Sequence, residues 1–97
     1  MLDNLHHEDY APHVNSKFQM VAGEQSWEIE LIEAVDKSPS PSQEQYVLLF
    51  RAPLDAPPYQ SIFQLEHAEL GAGALFLVPI RRDLSGLYYE ASFNRMR

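Results

Sequence analysis

Apolar and polar residues alternate along most of the chain, as they do in strands that have one face in a core and the other in water. Turn-forming residues separate the alternating segments, so neighbouring strands should run antiparallel. The sequence therefore predicts a mainly β fold, either a small antiparallel meander barrel or a strongly bent sheet of about six strands. The expected strands are 17–21, 26–35, 46–51, 61–67, 74–80 and 87–94.

Two segments depart from strict alternation. After Leu31 the phase is lost at Ile32 and Glu33, and a β-bulge there would keep Glu33 out of the core. Residues 46–51 are nearly all apolar, which favours a central strand that is buried on much of both faces. Large side chains are expected to point inward and fill the interior: Trp27, Phe50, Phe63, Tyr89 and Phe93.

The residues before the first strand predict a short helix at 6–14. Pro12 keeps this helix short, because its ring displaces a backbone hydrogen bond. Asn15 can end it in a left-handed conformation. We expect residues 1–15 to form a helical lid over an open end of the sheet.

The composition excludes several classes of protein. The chain has 97 residues and no cysteine, so we expect one domain, 1–97, without disulfides, a thiolate nucleophile or a cysteine zinc site. Its apolar runs are too short to span a bilayer, and its polar start does not resemble a signal peptide, which favours the cytoplasm or a particle assembled there. The segment 36–45, with two prolines and three serines, should be a mobile loop.

The charge is unevenly distributed. The net charge is −7, which argues against nucleic acid or an anionic membrane as a partner, since both require basic patches. Residues 1–48 hold nine acids and two bases, which gives −7, and residues 49–97 hold five acids and five arginines, which gives zero. This pattern is typical of a solvated acidic face, or of two oppositely charged faces that allow copies or a partner to dock.

Candidate chemistry is sparse, and the sequence predicts no catalytic residue and no cofactor. His67 shares the inward face of its strand, and its ring should bond a backbone carbonyl in the following Leu70–Gly71 turn. No serine or cysteine has the setting of a nucleophile. The hydrolase alternative would need His67 to share an open cleft with Glu69 or Asp83.

A metal site is a second alternative. His6, Asp9 and His13 have spacings that would bring them to one face of a helix, although this pattern matches no zinc motif. The favoured interpretation is a polar helix start with exposed histidines and no metal.

The remaining candidate binding residues lie near strand ends and loops. Arg51 ends the central strand, either as an isolated outward charge or, as the favoured interpretation, paired with Glu66 or Glu90 on a neighbouring strand. Tyr59 follows two prolines in the loop 53–60, which either caps the barrel or contacts a partner. The full set of candidate binding residues is Arg51, Tyr59, His67 and Glu69.

Several motifs together resemble a family of small bacterial domains of unknown function. These motifs are Phe-Arg-x-Pro, Leu-x-His-x-x-Leu-Gly and Phe-Leu-Val-Pro, and they fall within residues 46–53, 63–71 and 75–79. The segments 89–94 and 9–14 are also similar to the family. The resemblance implies no established activity; it implies an association with phage-tail-like gene clusters and hence a structural or accessory part of a particle.

The sequence therefore favours a non-enzymatic domain that acts through contact with a protein partner or with itself. The alternative is a small-ligand binding barrel, with Arg51, Tyr59 and His67 at one polar mouth. That alternative requires an apolar cavity of a few hundred Å³, on the order of other ligand pockets.

Overall fold

The computed structural model describes residues 1–96, which form six antiparallel strands in one sheet that closes into a ring. This confirms the predicted fold class. The strands are β1 (Lys17–Ala22), β2 (Gln25–Asp36), β3 (Gln43–Ala52), β4 (Ser61–His67), β5 (Gly71–Asp83) and β6 (Gly86–Met96).

The order of strands around the ring is β1-β2-β3-β6-β5-β4. Two three-stranded meanders are therefore joined along a long β3–β6 seam and a short β1–β4 seam, rather than one meander running through all six strands. The loop 53–60 contains three prolines and cannot continue the ladder as a tight hairpin. It carries the chain across the end of the barrel to β4, which leaves β3 free to pair with β6.

The β-bulge predicted in β2 is confirmed. The register between β2 and β3 shifts between Leu31 and Glu33, and Glu33 is exposed. The extra residue turns the charged side chain away from the interior and lets the strand bend around the barrel.

The interior is filled by aromatic and aliphatic side chains from all six strands. Phe50, Phe63 and Tyr89 are buried as predicted, while Trp27 and Phe93 are partly buried and pack against the core. β3 begins at Gln43 and alternates between buried and half-buried positions along its whole length. The connection between β2 and β3 is consequently shorter than the predicted loop 36–45.

The N-terminal residues pack on one end of the barrel. The helix predicted at 6–14 is an α-helical turn, α1 (His7–Tyr10), followed by a 3-10 helix, Ala11–His13, and a further 3-10 helix spans Leu2–Asn4. Asn15 has a φ of 77°, the predicted left-handed conformation. No helix within residues 1–96 has the length and apolar character needed to cross a bilayer.

Two buried hydroxyl groups fasten this segment. Tyr10 donates to the carbonyl of Leu2 at 2.7 Å, and Tyr46 in β3 donates to the carbonyl of Leu5 at 2.6 Å. Leu2 lies directly on Gly73 of β5, where a Cβ atom would approach the Leu2 nitrogen to 2.6 Å. Glycine at this position therefore allows the N-terminal segment to lie close against the backbone of β5.

Candidate functional site

His67, at the end of β4, is fully engaged in hydrogen bonds. Its Nδ1 accepts from the backbone amides of Glu69 at 3.0 Å and Leu70 at 3.1 Å. The ring proton must therefore lie on Nε2, which is 2.9 Å from the Ser16 Oγ and donates to it. Ser16 in turn donates to the carbonyl of His13 at 2.6 Å.

These contacts correct the expectation that the His67 ring bonds a carbonyl of the following turn. The ring accepts from amide groups instead, because the turn points its N–H groups back toward the strand end. Burial, followed by the nearby His13, lowers the pKa of His67 and favours the neutral ring. To act as a base toward the Ser16 hydroxyl, His67 would need a free lone pair on Nε2. That nitrogen carries the ring proton, so His67 is not placed to deprotonate Ser16.

The two carboxylates considered as partners of His67 lie in different surroundings. Glu69 is exposed, and its carboxylate lies 4.0 Å from the His13 ring. Asp83 lies in the β5–β6 hairpin, where its carboxylate accepts hydrogen bonds from the backbone of Ser85 at 2.7 Å and from the Tyr88 hydroxyl at 3.4 Å. Asp83 therefore lies at the other end of the barrel from His67, and no hydrogen bond among residues 1–96 joins the Glu69 carboxylate to the His67 ring.

Arg51 pairs with Glu30, at 2.8 Å, rather than with Glu66 or Glu90 as expected. The register explains the difference, because Glu30 in β2 lies directly opposite Arg51 in β3. Lys17 also contacts the Glu30 carboxylate, at 3.0 Å. The hydrogen bond from Lys17, followed by that from Arg51, lowers the pKa of Glu30.

Tyr59 lies at the opposite end of the barrel from His67. It precedes β4, whereas His67 ends this strand, and seven residues of strand separate the two ends by about 20 Å. Its exposed ring is 6.2 Å from the ring of Phe63. The structure therefore brings Glu69 close to His67 but does not gather Arg51, Tyr59 and His67 at one mouth.

The buried carboxylate of Glu44 is a feature that the sequence analysis missed. Only 3% of this side chain is exposed. It accepts hydrogen bonds from His6 Nδ1 at 2.8 Å, from the His7 backbone amide at 3.1 Å and from Arg95 Nε at 3.0 Å. Burial alone would raise the pKa of Glu44, but these hydrogen bonds outweigh burial and lower its pKa to about 2.

The predicted loop 36–45 includes Glu44, whereas the structure places Glu44 in β3. The signal that could have found it is the alternation of β3, since Glu44 has the same parity as the inward residues Tyr46, Leu48 and Phe50. An acid in phase with a buried face requires a partner. Here the partners come from the N-terminal segment and from the last strand.

A cleft of about 400 Å³ opens above this cluster, between the start of α1 and the end of β6. Arg95 bonds the protein through each of its three nitrogens: Nη1 donates to the carbonyl of Asp3 and Nη2 to the Tyr46 hydroxyl, in addition to the bond from Nε to Glu44. The cluster around Glu44 therefore works as a clamp between the N-terminal segment, β3 and β6.

The metal alternative is not supported by the positions of its three residues. His6 faces Glu44, Asp9 accepts a hydrogen bond from the His6 backbone, and the His13 ring packs edge-on against His67 with 4.9 Å between ring centroids. Within residues 1–96, no three histidine, aspartate or glutamate side chains gather in a way that could hold a metal ion.

The outer wall formed by β5 and the start of β4 has an unusual composition, although Gln64 and Glu66 of β4 lie beside it and are polar. Ile62 and Phe76 lie directly opposite each other in the register and are 68% and 51% exposed. On β5 the outward positions from 72 to 78 are two alanines, Phe76 and Val78, so this face carries no charge. The sequence signal was the uninterrupted apolar run at 74–80, which was interpreted as a strand without reference to its outer face.

Comparison with protein families finds one family model that matches most of the chain. The family model for the domain of unknown function DUF6916 matches residues 5–93. The chain belongs to the DUF6916 family. The match runs from the lid to β6, in agreement with the expected resemblance to a family of unknown function. Comparisons with curated proteins and with solved structures found no match.

The DUF6916 match includes His6, Glu44, Ile62 and Phe76, and it ends two residues before Arg95. Two of the three parts of the clamp and the whole apolar wall therefore lie in the family domain. The family has no assigned activity, so the surfaces of this chain are what bears on its function.

Proposed function

We propose that this DUF6916 domain is a non-enzymatic protein-interaction domain that serves as a structural or accessory part of a larger assembly. The observation that supports it is the exposed apolar wall of β4 and β5, centred on Ile62 and Phe76. The clusters around His67 and Glu44 support the same proposal, because their side chains form hydrogen bonds that stabilise the fold.

The outer face of β5 is apolar where a solvent-facing strand would carry polar residues. A strand with one face in water normally carries polar residues on that face, and a strand that is apolar on both faces is normally covered on both. β5 buries Leu75 and Leu77 inside the barrel and presents Phe76 and Val78 outside. Contiguous exposed apolar surface of this kind marks sites of contact with other proteins.

The proposal extends to a phage-tail-like bacterial particle, with assembly in the cytoplasm. Its support is the motif resemblance given above. In such a particle, the wall would pack against a neighbouring subunit.

The test is site-specific photo-crosslinking in cells of the natural host. A photoreactive phenylalanine analogue replaces Phe76, and the matched control carries the analogue at the exposed position of Glu33. We expect a discrete cross-linked product from position 76 only, and its loss when Ile62→Asp is added. Circular dichroism verifies that the variants are folded.

Equal products from both positions, or no product from position 76, would contradict the proposed contact wall. An Ile62→Asp chain that folds normally and still gives the product would also contradict it.

A further inference from the structure

His67 ends β4, directly after the last residue pair of the short β1–β4 seam. That seam has three residue pairs, and the pair nearest His67 is Gln19–Glu66. The His67 ring extends the junction further, because Nε2 donates to the hydroxyl of Ser16, the residue before β1. Its Nδ1 accepts from two backbone amides of the β4–β5 turn. We call the His67 ring with these three hydrogen bonds the latch.

The latch accommodates a neutral ring only. The amides of Glu69 and Leu70 point their hydrogens at Nδ1, so a proton on that nitrogen would face two donors and no acceptor. An imidazolium carries a proton on both ring nitrogens. Protonation of His67 is therefore incompatible with the two amide contacts, and either the ring or the turn must move away.

The charged and titratable groups around the ring do not resolve this conflict. The His13 ring lies edge-on to His67 with 4.9 Å between ring centroids, and its Nε2 is 4.0 Å from the Glu69 carboxylate. Lys17 and Glu66 line a depression of about 340 Å³ beside His67, and neither forms an ion pair with it among residues 1–96. Burial, followed by His13, lowers the pKa of His67, and the attraction of Glu69 does not offset them.

The elements on the other side of the latch are held by groups that keep their state in mild acid. Asn15 donates to the backbone carbonyl of Leu31 at 2.7 Å, and Leu31 donates to that of Ser16 at 3.1 Å. His6 meets Glu44 through Nδ1, which can donate in the neutral ring and in the imidazolium. Burial raises the pKa of Glu44, but its hydrogen bonds outweigh burial and lower the pKa to about 2, so the clamp keeps its charge.

We propose that the latch is an acid-sensitive release of the short β1–β4 seam. When His67 takes up a proton, its ring leaves the turn amides and the Ser16 hydroxyl, and this end of the β4–β5 hairpin separates from β1. The separation uncovers the buried ring of Phe18, whose centroid lies 4.5 Å from that of His67. The clamp and the long β3–β6 seam stay in place. This release goes beyond the proposed interaction role and does not depend on the contact wall.

The test is amide hydrogen exchange followed by NMR at about pH 7, 6 and 5, with rates corrected for the intrinsic effect of pH. The amides of Glu69, Leu70 and the short seam should lose protection by about tenfold for each unit of pH below the titration of His67, because the proton binds the open form. Amides between β3 and β6 should keep their protection. Ring ¹⁵N shifts should show His67 titrating over the interval in which protection is lost.

Two variants separate the latch from other effects of acid. His67→Asn places an amide oxygen close to the position of Nδ1, where it accepts from the turn amides and does not titrate. Its Glu69 and Leu70 amides should be equally protected at all three pH values. The matched control is His7→Gln, because the new amide group can replace the ring Nε2 in the bond to the Ala34 carbonyl. This control should lose protection at the turn in acid, as the wild type does.

Constant protection of the turn in the wild type would overturn the release, as would an equal loss in acid for His67→Asn. A simultaneous loss throughout the barrel would indicate general unfolding and would also overturn it. If His67→Asn does not fold, the wild type still decides the question. A titration of His67 that does not coincide with the loss of protection at the turn would then contradict the latch.

Discussion

His6 Nδ1 lies 2.8 Å from the Glu44 carboxylate, and this contact joins residues that are 38 positions apart in the chain. Arg95 meets the same oxygen from the last strand. One buried acid thus connects the N-terminal segment, the start of β3 and the end of β6. The contact gives the polar N-terminal residues a fixed place on the barrel.

Glu44→Gln should lower the free energy of unfolding by about 3 kcal/mol at neutral pH, because the variant removes the buried charge that pairs with Arg95 and His6. Urea denaturation measures the difference. Glu28→Gln, at an exposed position without an ion pair among residues 1–96, is the control and should leave stability nearly unchanged. Equal effects of the two variants would contradict the clamp.

The contribution of Glu44 should also depend on pH. Its pKa is about 2 in the folded protein against an ordinary value of 4.5, so its stabilisation is complete above pH 4.5 and is lost as the pH falls toward 2. The stability difference between the wild type and Glu44→Gln should therefore shrink over this interval. Acid titrations followed by circular dichroism check it, and a constant difference would contradict the low pKa.

His67 should contribute in a different pH range. Burial lowers its pKa below 6.5, so the unfolded chain takes up a proton before the folded one does. Stability should be complete above pH 6.5 and decline as the pH falls below it, and His67→Gln should lack this decline. Ring ¹⁵N chemical shifts should show the proton on Nε2, and a proton on Nδ1 would contradict the two amide contacts.

Gly73→Ala should destabilise the protein by about 1–3 kcal/mol, because the new methyl group meets the backbone of Leu2. A chain without residues 1–4 is the matched background for this substitution. There the change should have almost no effect, since the group that clashes is absent. Thermal denaturation of the four chains measures the coupling, and additive effects would contradict the contact.

Tyr89→Phe should release the loop 53–60 from the barrel end. The Tyr89 hydroxyl donates to the carbonyl of Pro57, and burial raises the pKa of this tyrosine to about 12. The loss should be about 1 kcal/mol, since one buried hydrogen bond disappears. Limited proteolysis should cut the variant faster within this loop, and unchanged cleavage would contradict the role of the bond.

The sequence predicts a structural feature correctly where that feature depends on residues close together in the chain. The lost phase at Ile32 and Glu33 predicts a bulge because a strand has a side-chain period of two, and Asn15 predicts a left-handed residue because its side chain tolerates that conformation. Each inference needed only residues close in the chain, and each agrees with the structure.

The sequence does not predict side-chain contacts between residues that are far apart in the chain. Arg51 was assigned to Glu66 or Glu90, and the pairing of β2 with β3 placed Glu30 opposite it instead. Glu44 acquired its partners from α1 and β6, which no local pattern connects to β3. Such contacts depend on the order and register of the strands. The proline-rich loop 53–60 after β3 is compatible with more than one strand order, so the sequence alone does not predict them.

The two seams of the ring have a consequence for the order of folding. Each meander is made of neighbouring segments and can form from contacts close in sequence, whereas the seams close long loops. The β3–β6 seam has ten residue pairs, and the β1–β4 seam has only three, Gln19–Glu66, Met20–Leu65 and Val21–Gln64. We therefore expect the ring to close last at β1–β4, and the amide protons of this seam to exchange with solvent sooner than those between β3 and β6.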